Sequence, residues 1–298
     1  MARPLSSQIG EYLRYQGEGV SMPTHPLEDY FAMGGPRPAL NAATRALHRG
    51  YLGGWEIVAG RLYLVKLTAT LQDGAQATLQ TLFPGFGDRV FAHWFTGTIR
   101  ILRGRRLHGV YNRDGSVFER EEMLEFERGV IRKTSVHSNV PENGDGNLPK
   151  TTGAGVKDAR PSTAPVFKAR RRHRLVRLSV AQIEARERVD DPLCAVPNLP
   201  FGHLNPVWCA LKAKPRWGDG FWSFSAEELG AQGKSVQFQG YVRCRWGRPV
   251  GQILTVCKPW TLPPQASSPP LHGRQRRDPE PWDGGEIEIP AFLRKQAD

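Results

Sequence analysis

From Thr134 to Pro165 the chain runs through Asn, Gly, Pro, Ser, Thr and Lys with almost no large apolar residue. Such a stretch cannot bury enough apolar surface to offset the entropy of ordering it, so it reads as a disordered linker. Its position constrains the fold more than any other feature. A chain of 298 residues interrupted there has room for a modest core on each side. The expected class is therefore α+β, with two small strand-rich domains joined by the linker.

Ahead of the linker, 26–133 carries the pattern of strands. Tyr51–Val58, Arg61–Ala69 and Ala75–Leu82 alternate or are rich in β-branched and aromatic residues, and Asp73-Gly74 is a two-residue hairpin signal. Val90–Phe95, Thr98–Leu102 and Leu107–Tyr111 continue the series after a loop of turn residues over 83–88. Short helices are expected at Pro26–Phe31 and Ala39–His48. Val117–Val130 fits either state: its glutamates suit a helix, while the spacing of Met123, Leu124, Phe126 and Val130 suits both. Residues 1–25 read as a flexible arm.

Beyond the linker, 166–189 is a basic segment followed by a helix with Ser179 as its N-cap. Residues 190–260 form a small Trp-rich α+β domain. In it Asn205 caps a helix with Pro206 at the first position, and Phe221–Phe224, Val236–Arg245 and Gly251–Lys258 are strands. Residues 261–286 contain Pro, Ser and Arg and read as a disordered tether for 287–298.

The net charge of +12 is concentrated: 131–200 holds 13 basic and 7 acidic residues, and 201–260 holds 8 and 3. Lys168, Arg170, Arg171, Arg172, Arg174 and Arg177 fall within ten residues, beside Phe167 and Leu175. Such a run can contact phosphates without reading sequence, giving salt-dependent affinity for nucleic acid. Lys212, Lys214, Arg216, Arg243, Arg245 and Arg248 lie among tryptophans, a mixture that can stack bases and neutralise phosphates. A nucleic-acid-binding accessory protein of a mobile element is the alternative this supports. Short arginine runs beside linkers also occur on proteins that bind no nucleic acid.

Catalysis is not expected. The histidines are scattered without ligand spacing, the four cysteines are widely spaced, and no nucleophile elbow, phosphate loop or dinucleotide fingerprint occurs, so no metal or cofactor is called for. His93 sits in an apolar-aromatic stretch, as core histidines do. Tyr111, Ser116 and Glu119 are close in sequence, but such groups usually make turn and strand hydrogen bonds. Glu119, Glu121, Glu122, Glu125 and Glu127 suggest an acidic face, solvated or docked on the chain's own basic segment. No run is long enough to span a membrane and the first residues lack a secretory apolar region, so the expected location is cytoplasmic.

The segment 287–298 has its own logic. Pro290 can open a short helix, Glu286 and Glu288 precede it and Arg294 and Lys295 follow, matching the helix dipole. Ile289, Phe292 and Leu293, at i, i+3 and i+4, share one face. About eight residues do not hold a helix alone in water, so the segment folds as it docks in a partner's groove.

Ile289 to Asp298, IPAFLRKQAD, resembles the conserved carboxyl-terminal peptide of the bacterial division tubulin FtsZ, and Ile287-Glu288 fits its lead-in. Nothing upstream resembles the tubulin GTPase. In that family the peptide follows a disordered linker and docks on membrane tethers, spatial regulators and a protease. The resemblance implies that Ile287, Ile289, Pro290, Phe292, Leu293 and Arg294 carry recognition of proteins that bind the FtsZ peptide. The implied function is a non-catalytic interaction protein of the division machinery or its regulators. Residues 26–133, with LYLVKLTATLQDG and VFAHWFTG, and more faintly 201–260, resemble bacterial domains known only as uncharacterised, which implies compact units and no chemistry.

Overall fold

The structure, a computed structural model, describes residues 9–41, 47–108, 117–139, 167–229 and 235–259. Its first elements lie where the sequence suggests a flexible arm. Strands β1 (Glu11–Tyr15) and β2 (Glu18–Met22) form an antiparallel hairpin around Gln16-Gly17, both at positive φ, and β1 also pairs in parallel with β3 (Tyr51–Val58). Leu13 and Met22 are fully buried and anchor the hairpin. Gln-Gly is a weaker turn signal than Asn-Gly, which hid the hairpin from a reading of turn residues.

Between them, α1 (Pro26–Ala32) starts on Pro26 and buries Leu27 and Tyr30. The part of the expected helix at 42–46 lies outside the described residues, and Leu40 bridges Leu71 instead. β4 (Arg61–Thr70) follows β3, and the Asp73-Gly74 turn leads to the two-residue strand β5 (Gln76–Ala77). Next come α2 (Leu79–Leu82), β6 (Val90–Phe91), β7 (Gly97–His108), β8 (Val117–Glu127) and β9 (Val130–Ser138). The sheet order is β2-β1-β3-β4-β9-β8-β7, with β5 and β6 on β4.

The segment 117–130 is thus a strand and a turn, not a helix. Leu124 and Phe126 point into the core, and the glutamates pair across the ladder. Arg100 meets Glu121 at 2.5 Å, Arg105 meets Glu119 at 3.3 Å, Arg132 meets Glu127 at 2.9 Å and Lys133 meets Glu125 at 3.8 Å. Thr134–Ser138, at the start of the expected linker, is instead strand and pairs with β8, its polar side chains largely on the solvent side. The expected linker's residues 140–165 lie outside the described residues.

The second block holds β10 (Arg174–Leu178), α3 (Val180–Arg186), α4 (Asn205–Lys212), β11 (Asp219–Leu229), β12 (Ser235–Arg245) and β13 (Arg248–Pro259). Ser179 caps α3 with a capping box, accepting from Gln182 N at 3.2 Å. Asn205 is the first helical residue of α4 rather than its cap. β10 to β13 form an antiparallel sheet in chain order.

The two blocks are not separate domains. The chain divides into Met1–Pro263 and Pro264–Asp298, and the second unit lies outside the described residues. Within the first, one apolar cluster runs from Leu13 and Trp55 through Trp94, Phe201 and Trp208 to Phe238 and Leu254. Residues 187–203, which include the Pro-containing connection that the sequence suggests at Asp190–Pro200, bind the blocks with polar contacts. Phe91 N donates to Ala195 O at 2.7 Å, Tyr63 Oη to Asp191 at 2.7 Å, Tyr241 Oη to Glu187 at 2.7 Å, and Arg128 also pairs with Glu187. Among the described residues no helix is long and apolar enough to cross a membrane.

Candidate functional site

Ile287, Ile289, Pro290, Phe292, Leu293 and Arg294 lie outside the described residues, as do Tyr111 and Ser116. The basic segment can be followed atom by atom. Phe167 is buried, stacked on Phe238 with ring centroids 4.5 Å apart and on Phe224 at 5.6 Å. The Gln252 side chain grips the backbone there, accepting from Ala169 N at 2.7 Å and donating to Phe167 O. A 3₁₀ turn, Arg171–His173, follows, in which Arg170 N donates to His173 Nδ1 at 3.1 Å and His173 stacks on Phe167. The run then enters β10, the edge strand of its sheet.

Lys168, Arg170, Arg171, Arg172 and Arg177 are exposed, and Arg174 is half-buried. Arg174 and Arg177 both lie over the Trp222 ring, at 5.1 and 5.5 Å from its centroid. The six cations therefore stand on a short strap and an edge strand held at both ends. No ion pair is seen for any of them among the described residues.

The arginines and lysines of the rest of this block divide sharply by role. Arg243, with only 8% of its side chain exposed, donates to the Leu211, Ala213 and Lys214 carbonyls at and just beyond the end of α4 at 2.7–2.8 Å and to Asp219 at 2.6 Å. It satisfies carbonyls that a helix end leaves without partners. Arg245 pairs with the same Asp219 at 2.9 Å, and Arg216 N donates to it at 2.7 Å. Hydrogen bonds from Arg245 and Arg243 hold the Asp219 carboxyl well below the usual carboxylate range. Lys212 is bound to Glu184 at 2.6 Å, which raises the lysine and, with the Trp208 indole, lowers the carboxylate. Lys214, Arg216 and Arg248 make no ion pair among the described residues. The sequence could not separate the two groups, because the separation depends on which basic side chains reach Asp219, Glu184 and the end of α4.

Beside those three cations stand the most exposed indoles of the described residues. Trp217 is 85% and Trp246 63% exposed, their rings T-shaped at 4.5 Å. A cleft of about 560 Å³ opens next to them, lined in part by Lys214, Arg216, Arg245 and Val250.

Two other polar places lie apart from this corner. A cleft of about 600 Å³ lies between the two sheets, with Glu125, Glu127, Arg132, Gln237 and Gln239 on its walls. Its buried carboxylate, Glu187, is already committed to Arg128 and Tyr241, and burial next to that carboxylate raises the Tyr241 phenol. Near β1, Glu11 is buried, accepts from Trp55 Nε1, and lies 3.5 Å from His25 Nδ1 and 3.7 Å from Arg49 Nε. Glu11 Oε1, His25 Nδ1, Arg49 Nε and the Tyr51 hydroxyl are buried without a well-formed hydrogen bond. This centre ties the first hairpin to β3, and Gly53 is obliged there because a Cβ would fall 2.6 Å from both Glu11 Oε2 and Trp55 Nε1.

His93 is a core histidine. Its Nε2 accepts from His203 N at 3.0 Å, and the rings stack at 5.8 Å. Burial, with His203 and Arg128 nearby, holds His93 well below the ordinary histidine range. Burial lowers His203 to about 4 against a weaker opposing bond to Ala195 O. No nucleophile stands beside either ring among the described contacts, and both belong to the join between the blocks.

No protein-family model matches the chain, and neither a curated protein nor a solved structure matches it.

Proposed function

We propose that the protein is a non-catalytic interaction protein whose segment 287–298 docks on proteins that read the FtsZ carboxyl-terminal peptide. The observation that carries this is the contiguous run IPAFLRKQAD with its Ile287-Glu288 lead-in. Burying Ile289, Phe292 and Leu293 supplies roughly 5–8 kcal/mol before ordering costs, which corresponds to micromolar rather than permanent attachment. The test is recovery of purified tail-reading proteins (a membrane tether, a spatial regulator, a protease) by the full chain and by Phe292→Ala/Leu293→Ala. The substituted chain should lose them; equal recovery by both overturns the reading.

A second reading, a nucleic-acid-binding accessory protein, is favoured by the way Phe167 and β10 present Lys168, Arg170, Arg171, Arg172, Arg174 and Arg177 on fixed backbone. Phosphate contacts from such a surface give affinity that falls steeply with salt. Retention on DNA and RNA columns should weaken with salt and largely vanish when Arg170, Arg171, Arg172 and Arg174 become Ala. Retention unchanged by those substitutions would remove this surface from the account.

A further inference from the structure

The start of β11 carries an arrangement that neither a docking peptide nor a bare basic patch explains. Trp246 and Gly247 occupy the tight turn between β12 and β13 at φ 51° and 79°. The left-handed region disfavours an indole-bearing residue and favours Gly, Asn or Asp. The chain accepts that strain and holds the ring outward, with Trp246 N donating to Gly218 O at 3.1 Å. Gly218 and Gly220 form the floor under two indoles: a Cβ would fall 2.7 Å from the Trp246 ring at one and 2.8 Å from the Trp222 ring at the other. Two residues of strand separate these glycines by roughly 7 Å, about twice the thickness of a stacked ring.

Cations accompany each ring. Arg174 and Arg177 lie over Trp222. Arg216 precedes Trp217, and Arg248 follows the Trp246-Gly247 turn. Asp219, the acid at this corner, is already neutralised by Arg243 and Arg245.

We propose that Trp217 and Trp246 form a stacking platform for single-stranded nucleic acid. Its phosphates lie in the cleft at Lys214 and Arg216, with Arg248 after the Trp246-Gly247 turn, and continue past Trp222 toward Arg170–Arg177. This deepens the nucleic-acid reading and rests on it. Unpaired bases bring the faces that indoles can stack on, whereas a duplex hides them between neighbouring base pairs. A membrane surface also attracts tryptophan with arginine, but anchoring there scales with the apolar area buried. Here the cations Lys214, Arg216 and Arg245 line the cleft that would face such a surface.

The test measures fluorescence anisotropy of the full chain with labelled dT20, a 20-base-pair duplex and, separately, sedimentation with phosphatidylglycerol vesicles. Trp217→Ala and Trp246→Ala are compared with Trp217→Phe and with Arg170→Ala/Arg171→Ala. Trp217 is so exposed that its loss leaves folding intact, which far-ultraviolet circular dichroism verifies. The platform predicts tighter binding to dT20 than to duplex. It also predicts about a tenfold loss for dT20 per indole removed, partial retention with Trp217→Phe, and little change for duplex. Equal binding of both nucleic acids, indifferent to the tryptophans but lost with Arg170→Ala/Arg171→Ala, overturns the platform and leaves the basic surface standing. Absence of binding to either overturns both. Binding to vesicles alone overturns the proposal in favour of a lipid surface.

Discussion

Acid should unfold this protein through the histidine pair that joins its two sheets. His203 is 7% and His93 5% exposed, and burial holds both below the ordinary histidine value of 6.5, His203 at about 4. For a base whose folded pKa is depressed, the unfolded chain binds the proton first. Stability is then unaffected above about pH 6.5 and falls as pH drops from there toward the folded value. For His203, lowering from 6.5 to about 4 corresponds to about 3 kcal/mol in total. While both rings remain neutral in the folded state, the slope is about 2.7 kcal/mol per pH unit, twice the value for one group. Most carboxylates titrate below this window; Asp29, which burial and then Glu28 hold well above the ordinary carboxylate range, opposes the slope, so the comparison with a histidine variant isolates the histidines. The assay is urea unfolding followed by tryptophan emission at pH 7.5, 6.5, 6.0, 5.5 and 5.0. His203→Gln keeps an amide N–H for Ala195 O and removes one titrating group, so the histidine part of the slope should fall by about half. A free energy of unfolding that is flat between pH 7 and 5 in both chains would refute the neutral buried pair.

Other substitutions probe the remaining joints. Phe167→Ala removes a ring stacked between Phe224 and Phe238 and should cost about 3–5 kcal/mol in urea unfolding, while freeing the basic strap for proteolysis. Gly53→Ala pushes a methyl into Glu11 and Trp55 and should destabilise by about 1–3 kcal/mol, read in the same assay. Glu187→Ala leaves Tyr241 and Arg128 without their shared partner. Because Arg128 is 40% exposed in its side chain, the expected loss is only about 1–3 kcal/mol, short of the full cost of a buried ion pair. If separate folded units existed on either side of 140–166, these changes would each affect one of two unfolding transitions. The shared cluster predicts a single transition that all of them move.

Strands with strong alternation and firm turn chemistry were legible from residues alone. β3 and β4 are found close to their expected limits, and the Asp73-Gly74 turn is in place. Three failures have one cause, the use of polarity as a proxy for lack of structure. The hairpin of β1 and β2 is polar on one face, yet Leu13 and Met22 suffice to fix it once β3 offers an edge. Thr134–Ser138 has few apolar side chains because β8 needs only its backbone. The connection at Asp190–Pro200 looked like spacer because its Pro and Asp are loop residues, but Asp191, with Glu187 just before it, binds the sheets together.

The candidate interface was legible in its charge and illegible in its geometry. Composition alone located the basic excess, while the distinction that matters lies between charges already spent and charges still available. Arg243 and Lys212 look as free in the sequence as Arg216 and Arg248, yet the former stabilise α4 and the latter stand beside exposed indoles. Asp219 decides this division, since its carboxylate draws in Arg243 and Arg245 together and leaves the corner net positive. Exchanging it for Asn would do more than remove one acid. It would leave Arg243 held by α4 carbonyls alone and release Arg245 into the cleft, so anion affinity should rise there while the free energy of unfolding falls. A variant in which both quantities stay unchanged would show that Asp219 is not what sorts these arginines.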